Sequence, residues 1–103
     1  MNYYSTNKLA PLASLQTAVV DGLASDKGLY MPERIPTLPV SFFDEIEHLS
    51  FQEMAYCVAE AFFGDDIEKK TLRQIVYETL NFDTPVVLVK ENIYSLELFH
   101  GPT

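Results

Sequence analysis

Few residues in this chain of 103 are of types that do chemistry, and their spacing narrows the choice further. The two histidines, His48 and His100, lie far apart, and Cys57 is the only cysteine, so no metal-ligand spacing appears and no metal site is expected. Without a partner, Cys57 reads as a small core residue on a helix. Asp65-Asp66 is the kind of carboxylate pair that serves acid–base chemistry, but no matching partner accompanies it. At a helix start, two acids complement the helix dipole with no catalytic role at all. The lysines, at positions 8, 27, 69, 70 and 90, fall in loops, at a helix start or at a strand end, and none has a setting that suggests a Schiff base. No Gly-rich stretch offers a phosphate cradle. Two polar stretches remain. Ser5 and Thr6, with Lys8 just beyond, offer hydroxyls and a charge to a ligand, or are solvated loop residues. At the other end, His100-Gly101-Pro102-Thr103 breaks a strand into a polar turn, because Gly admits unusual backbone angles and Pro fixes φ and donates no hydrogen bond.

The elements that must position these residues follow from periodicity. Tyr3-Tyr4 reads as a short edge strand running into a loop. Ser14 caps a helix from Leu15 to about Asp21, with Leu15, Ala18 and Val19 as its apolar stripe and Gly22 as its end. Ser25-Asp26-Lys27-Gly28 is a turn in which Gly28 is available for a positive φ. Leu29-Tyr30-Met31 is a strand closed by Pro32, and residues 34–39 are an extended connector. Ser41 and Asp44 mark a short helix that turns Phe42, Phe43 and Ile46 inward and carries His48 near its end. Ser50 and Glu53 form a capping box, with Leu49 placed to staple to Met54. Behind them Phe51, Met54, Ala55, Val58 and Phe62 share one helical face, read as core packing in preference to a cofactor pocket. Gly64 ends that helix. A further helix spans about Glu68 to Leu80, with Leu72, Ile75, Val76 and Leu80 inward. Val86 to Val89 is a β-branched run of strand length, and Glu91-Asn92 turns it back into a strand from Ile93 to Phe99, with Tyr94, Leu96 and Leu98 on one face. The fold class expected is α+β, three or four helices packed on a small, mainly antiparallel sheet.

Composition excludes several partners. Fifteen acidic and seven basic side chains give a formal net charge of −8, which opposes nucleic acid and anionic membranes alike. The opening residues have neither the basic nor the apolar region of a signal peptide, and no run approaches the ~20 apolar residues of a membrane helix. A reducing cytoplasm suits the single thiol.

The run Leu96-Glu97-Leu98-Phe99-His100-Gly101-Pro102-Thr103 resembles the motif that introduces the pyridoxal-phosphate lysine in the threonine synthase family. Tyr4-Ser5-Thr6 is similar to the family's opening, and so is Gly22-Leu23 followed by Gly28-Leu29-Tyr30-Met31-Pro32-Glu33 with Ile35-Pro36 behind. Leu49-Ser50-Phe51-Gln52 with Phe63-Gly64 is the fourth such stretch, and all four occur in the family's order. The resemblance spans the whole chain and covers only the N-terminal part of the enzyme. It implies conversion of O-phospho-L-homoserine and water to L-threonine and phosphate, with pyridoxal phosphate as the electron sink. The lysine that holds the cofactor follows His-Gly-Pro-Thr, so it is expected beyond Thr103, and no catalytic residue is expected within the chain. On this resemblance residues 93–103 are the strand and turn leading into the cofactor-binding domain, and the remaining catalytic domains are partners in the same polypeptide. His100, Gly101 and Thr103, with Ser5 and Thr6, would form the edge of the active site. Thr103 would offer a hydroxyl and an amide to cofactor or substrate phosphate, and Gly101 close backbone access; the alternative is a turn that only shapes the lysine loop. Asn7 and Lys27 depart from the family, which favours a basic residue soon after Ser-Thr and Asp-Gly-Gly at the turn. The rival to the whole reading is a stand-alone acidic interaction module without catalysis.

Overall fold

A computed structural model describes residues 1–100; Gly101, Pro102 and Thr103, named above for the active-site edge, lie outside the described residues. Four α-helices and two two-stranded antiparallel sheets are found among the described residues, in keeping with an α+β class. The strands form two separate pairs and not the one small sheet expected.

The first sheet joins β1 (Tyr3–Ser5) to β2 (Tyr30–Pro32), with Tyr3 opposite Pro32 and Ser5 opposite Tyr30. Ala13 adds a bridge to the other edge of β1, its amide and carbonyl exchanging bonds of 2.8 and 2.9 Å with Tyr3. Tyr3 and Ser5 point inward and Tyr4 outward, as the period of two requires. Between the strands lies α1 (Leu15–Asp21). Its cap is the one expected: Ser14 Oγ accepts from the Thr17 amide, and Gly22 ends the helix at φ +71°. The stripe on α1 is not a core stripe, since Val19 is 73% exposed and the helix buries no residue.

The helical half begins with α2 (Val40–Glu45), continued by a 3₁₀ turn over Ile46–His48. Pro39 occupies its N-cap without a side-chain bond, so the helix starts one residue before Ser41 and not by capping from it. Phe43 and Ile46 are exposed, against expectation; Phe42 is the half-buried member, packed edge-on against Phe43. His48 lies in solvent beside Glu47.

α3 (Phe51–Phe63) opens with the capping box: the Glu53 amide donates to Ser50 Oγ at 3.1 Å, and the Ser50 amide donates to the Glu53 carboxylate at 2.7 Å. These bonds from Ser50 to the charged form hold Glu53 below the usual carboxylate range. α4 (Lys69–Thr79) packs against α3. Its N-cap is Glu68, whose carboxylate accepts from the amides of Lys70 and Thr71 and from the Thr71 hydroxyl. Glu68 therefore fills at the helix terminus the role expected of Asp65-Asp66. Asp66 instead accepts from the N-terminal ammonium of Met1 at 3.2 Å. Across the α3–α4 seam, Lys69 pairs with Glu60 at 3.1 Å and the Arg73 guanidinium lies over the Tyr56 ring, and within α4 it also lies over the Tyr77 ring. Leu72 and Val76 are buried as expected, whereas Ile75 is exposed.

The buried apolar core among the described residues is small: Tyr3, Ala13, Ala24, Leu72 and Val76. The Phe and Met stripe of α3 is not in it. Phe51 and Val58 are each 40% exposed, and the stripe walls an open groove. The period locates the right face, but periodicity is silent on whether the element opposite lies within the same 100 residues.

β3 (Val86–Lys90) and β4 (Ile93–Leu96) form the second sheet, an antiparallel hairpin with Val86 opposite Leu96 and Leu88 opposite Tyr94. Asn92 turns it at φ +60°, the left-handed geometry expected of Asn, and a bulge falls between Leu88 and Lys90. β4 stops at Leu96, three residues before the expected end at Phe99, although the Glu97 amide still reaches the Pro85 carbonyl at 2.9 Å.

Candidate functional site

The polar stretch at Ser5 and Thr6 is built into a lock between two loops. Ser5 is the last residue of β1, and only 1% of it is exposed. Its hydroxyl donates to Asp26 Oδ1 at 2.5 Å and accepts from the Asn7 amide at 3.2 Å. Asp26 gathers the rest. Its Oδ1 accepts from the Gly28 amide at 3.0 Å, and its Oδ2 accepts from the amides of Leu9 and Ala10, each at 2.9 Å. Asn7 Nδ2 donates to the Asp26 carbonyl at 3.0 Å. Thr6 closes the arrangement: its hydroxyl accepts from the Leu29 amide, and its own amide donates to the Leu29 carbonyl, both at 2.9 Å.

One carboxylate thus receives one hydroxyl and three backbone donors from two segments. The Ser5 hydrogen bond, and after it the bonds from the Gly28, Leu9 and Ala10 amides, hold the Asp26 pKa down to about 2. The carboxylate's two oxygens are occupied by these donors. An ionised acid so engaged is an organiser of loops, not a base waiting for a proton.

Gly28 is needed here for a reason that local sequence does not show. It does not carry the positive φ; Lys27 does, at +67°. A Cβ on Gly28 would collide with Ser5 Oγ and stand 2.9 Å from the Asn7 amide nitrogen and 3.1 Å from Asp26 Oδ1. The glycine is there so that the 25–28 turn can close onto β1. Asp26 itself escapes the sequence reading as a site residue. Its signal is present all the same, since an Asp two residues before a Gly in a turn is the pattern of an Asx turn.

His100 is placed elsewhere. Its ring stacks on Phe82 with centroids 4.0 Å apart and planes tilted by 30°, and Phe82 meets Phe51 edge-on at the start of α3. The end of the described chain is thereby held against the opening of α3. No hydrogen bond joins His100 to Ser5 or Thr6 among the described residues.

Two concavities lie along α3. One, of about 450 Å³, is lined by Leu38, Phe42, Leu49, Cys57 and Ala61, with Glu45 and Glu60 among its polar residues. The other, of about 510 Å³, is the apolar groove of Phe51, Met54, Val58, Phe62, Phe63 and Leu80. Neither suits a phosphorylated cofactor, because one presents carboxylates and the other is walled by apolar side chains. Each described lysine is exposed, and Lys69 is taken by Glu60. Neither concavity, therefore, offers a fitting set of residues to pyridoxal phosphate, the group implied by the resemblance. Among the described residues no three His, Cys, Asp or Glu side chains converge on a possible metal position, and no helix is long and apolar enough to cross a membrane.

Comparison with known proteins gives one consistent result. The family model for the threonine synthase N terminus matches residues 2–80. Threonine synthase of Haemophilus influenzae is 36% identical over 103 residues, which is all of this chain and 24% of the relative. The crystal structure of threonine synthase from Escherichia coli superposes with a TM-score of 0.85 at 33% identity, over 100% of this chain and 24% of that one. A PLP-bound threonine synthase from Brucella melitensis gives a TM-score of 0.83 at 34% identity, over 99% and 23%. This chain spans about a quarter of the length of the relatives it matches.

Proposed function

Because the chain belongs to the threonine synthase family, we propose that it forms the opening domain of a pyridoxal-phosphate-dependent lyase that converts O-phospho-L-homoserine and water to L-threonine and phosphate. The observation that carries the reading is a likeness running the full length of this chain at 33% identity and a TM-score of 0.85. The Brucella melitensis threonine synthase is PLP-bound, which supports the choice of cofactor. When bound, that cofactor supplies an electron sink for the substrate's carbon skeleton.

This chain's residues do the supporting work. The lysine that anchors the cofactor lies beyond Thr103, in the catalytic domains of the same polypeptide. Residues 93–103 carry the chain into those domains, a reading supported by the Phe82–His100 stack that holds His100 near the start of α3. Gly101 and Thr103 form the edge of the active site together with His100. Ser5 and Thr6 act at one remove, since their hydroxyls are engaged within the Asp26 lock. The enzyme works in the cytoplasm, where the unpaired Cys57 stays reduced.

Phosphate release from O-phosphohomoserine by the full-length protein tests the proposal. It should require added pyridoxal phosphate, and Thr103→Ala should depress turnover more than Asp65→Ala does. A full-length protein that releases no phosphate with cofactor present removes the assignment. One indifferent to Thr103 removes only the placement of the active-site edge.

A further inference from the structure

The negative charge of this chain is concentrated in one stretch. Residues 35–68 hold eight acidic side chains and no lysine or arginine, while the other seven acids are matched by the seven bases. The whole formal net charge of −8 therefore belongs to α2, the 3₁₀ turn, α3 and the segments that flank them. The concavity of about 450 Å³ opens within this stretch, and every residue that lines it comes from positions 37–61.

Its walls are set by local structure. Pro39 confines Leu38 to extended backbone and then occupies the N-cap of α2. α2 is six residues long and leads through Leu49 into α3, so that residues of both helices line one recess. Leu38, Phe42, Leu49, Cys57 and Ala61 make its apolar lining, each of them half-buried. Glu45 from α2 and Glu60 from α3 line it too, and no lysine, arginine or histidine does. Glu45 has no ion-pair partner among the described residues. Glu60 is held by Lys69, but 79% of that lysine side chain lies in water, and so exposed a pair yields easily to another cation.

A recess of this size, apolar over most of its lining with a few polar groups to fix orientation, has the make-up of a small-molecule site. A metal ion does not suit it, because among the described residues no three His, Cys, Asp or Glu side chains converge, and apolar walls cannot replace a hydration shell. An anion would meet two carboxylates. An ammonium carried on an apolar body satisfies both the lining and the charge. We propose that the recess between α2 and α3 binds organic cations of this class, amines with one ring or a short branched hydrocarbon. The hydrocarbon lies against Leu38, Phe42 and Leu49, and the ammonium lies at Glu45 and Glu60. The proposal does not depend on which reaction the full-length protein catalyses.

Cys57 lines the recess and reports on it. In the full-length protein, labelling is read by mass spectrometry at the peptide that carries Cys57. Two methanethiosulfonates are compared, one bearing a trimethylammonium group and one a sulfonate. Their ratio of rates cancels the reactivity of the thiol itself and leaves the charge of its surroundings. Relative to the same ratio on a free small thiol, the cationic reagent should be favoured about 10-fold, and Glu45→Gln with Glu60→Gln should bring the preference back to about one. Should that double variant fail to fold, Glu45→Gln alone, at an exposed position, should lower the preference about threefold. Benzylamine should slow the labelling, with half-protection on the order of 1 mM, and benzoate should not. A rate ratio equal to that of the free thiol would overturn the proposal, as would no protection by benzylamine or equal protection by benzoate. A Cys57 that neither reagent reaches in the folded full-length protein would overturn it as well, by showing that the recess is closed there.

Discussion

Gly28→Ala is the sharpest perturbation of the lock between β1 and the 25–28 turn. The new methyl group would overlap Ser5 Oγ and press on the Asn7 amide nitrogen at 2.9 Å and Asp26 Oδ1 at 3.1 Å. None of these is the free end of a flexible side chain. Ser5 is buried and hydrogen-bonded on both sides, and Asn7 contributes backbone. Overpacking in such a setting costs about 1–3 kcal/mol, and the rigid neighbours put this case near 3 kcal/mol. Native-state hydrogen exchange of the full-length protein reads it as local opening of β1 and β2, without requiring the whole protein to unfold in one step. At ~1.4 kcal/mol per decade, the opening constant for the Tyr3, Thr6 and Ala24 amides should rise roughly 100-fold. The structure also fixes which contact is at fault. In a Ser5→Ala background the nearest obstacle is gone, so the same glycine substitution should cost about 1 kcal/mol, a strong coupling between the two sites. If the two costs simply add to within about 0.5 kcal/mol, Ser5 is not what excludes a side chain at position 28.

The other predictions concern charge and backbone strain in the same turn. The folded pKa of Asp26 lies at about 2 against an ordinary 3.8, so its ionised form is stabilised on folding. That contribution is complete above pH ~4 and is lost as pH falls through the window down to about 2. Asp26→Asn should therefore flatten the acid limb of β1–β2 protection, and an unchanged acid limb would refute the role given to the carboxylate. Lys27 holds a φ of +67°. That conformation costs a residue with a Cβ about 1–2 kcal/mol, from which the greater chain entropy of Gly subtracts about 0.5–1 kcal/mol. Lys27→Gly should accordingly slow exchange at the Ala24 and Gly28 amides several-fold, and faster exchange would contradict the argument.

What is legible in the sequence is whatever is decided within a few residues. Ser50 and Glu53 announce their capping box, Ser14 and Gly22 bound α1 correctly, and Asn92 takes the left-handed turn expected of it. Signals of longer range mislead in instructive ways. Gly28 suggests a positive φ because that is the commonest local reason for a turn glycine. Its actual reason is Ser5, 23 positions away, which no local pattern reveals. Asp66 looks like a helix-dipole acid and is paired with the Met1 ammonium, while Glu68 takes the cap. The stripes of α1 and α3 read as core because periodicity reports which side is apolar and not whether anything covers it. Of the expected site residues, Ser5 and Thr6 are placed together in one lock and His100 is placed against Phe82. The family resemblance rests on stretches that the residues alone do not interpret.

The β3–β4 hairpin, exposed along both strands, has a consequence in time as well as in space. A ribosome emits β3 and β4 long before it has made the remaining three-quarters of a protein the size of the relatives. At about 5–20 residues per second, the interval is on the order of tens of seconds. Throughout it, the run Val86-Val87-Leu88-Val89 is free, with its strand edges open, to pair with a neighbouring nascent chain. The charges closest to hand are Lys90 and Glu91 at the turn and Glu97 beyond β4, which flank the run without interrupting it. In a protein of the relatives' length, synthesis passes through a stage at which this exposed hairpin waits for whatever follows it.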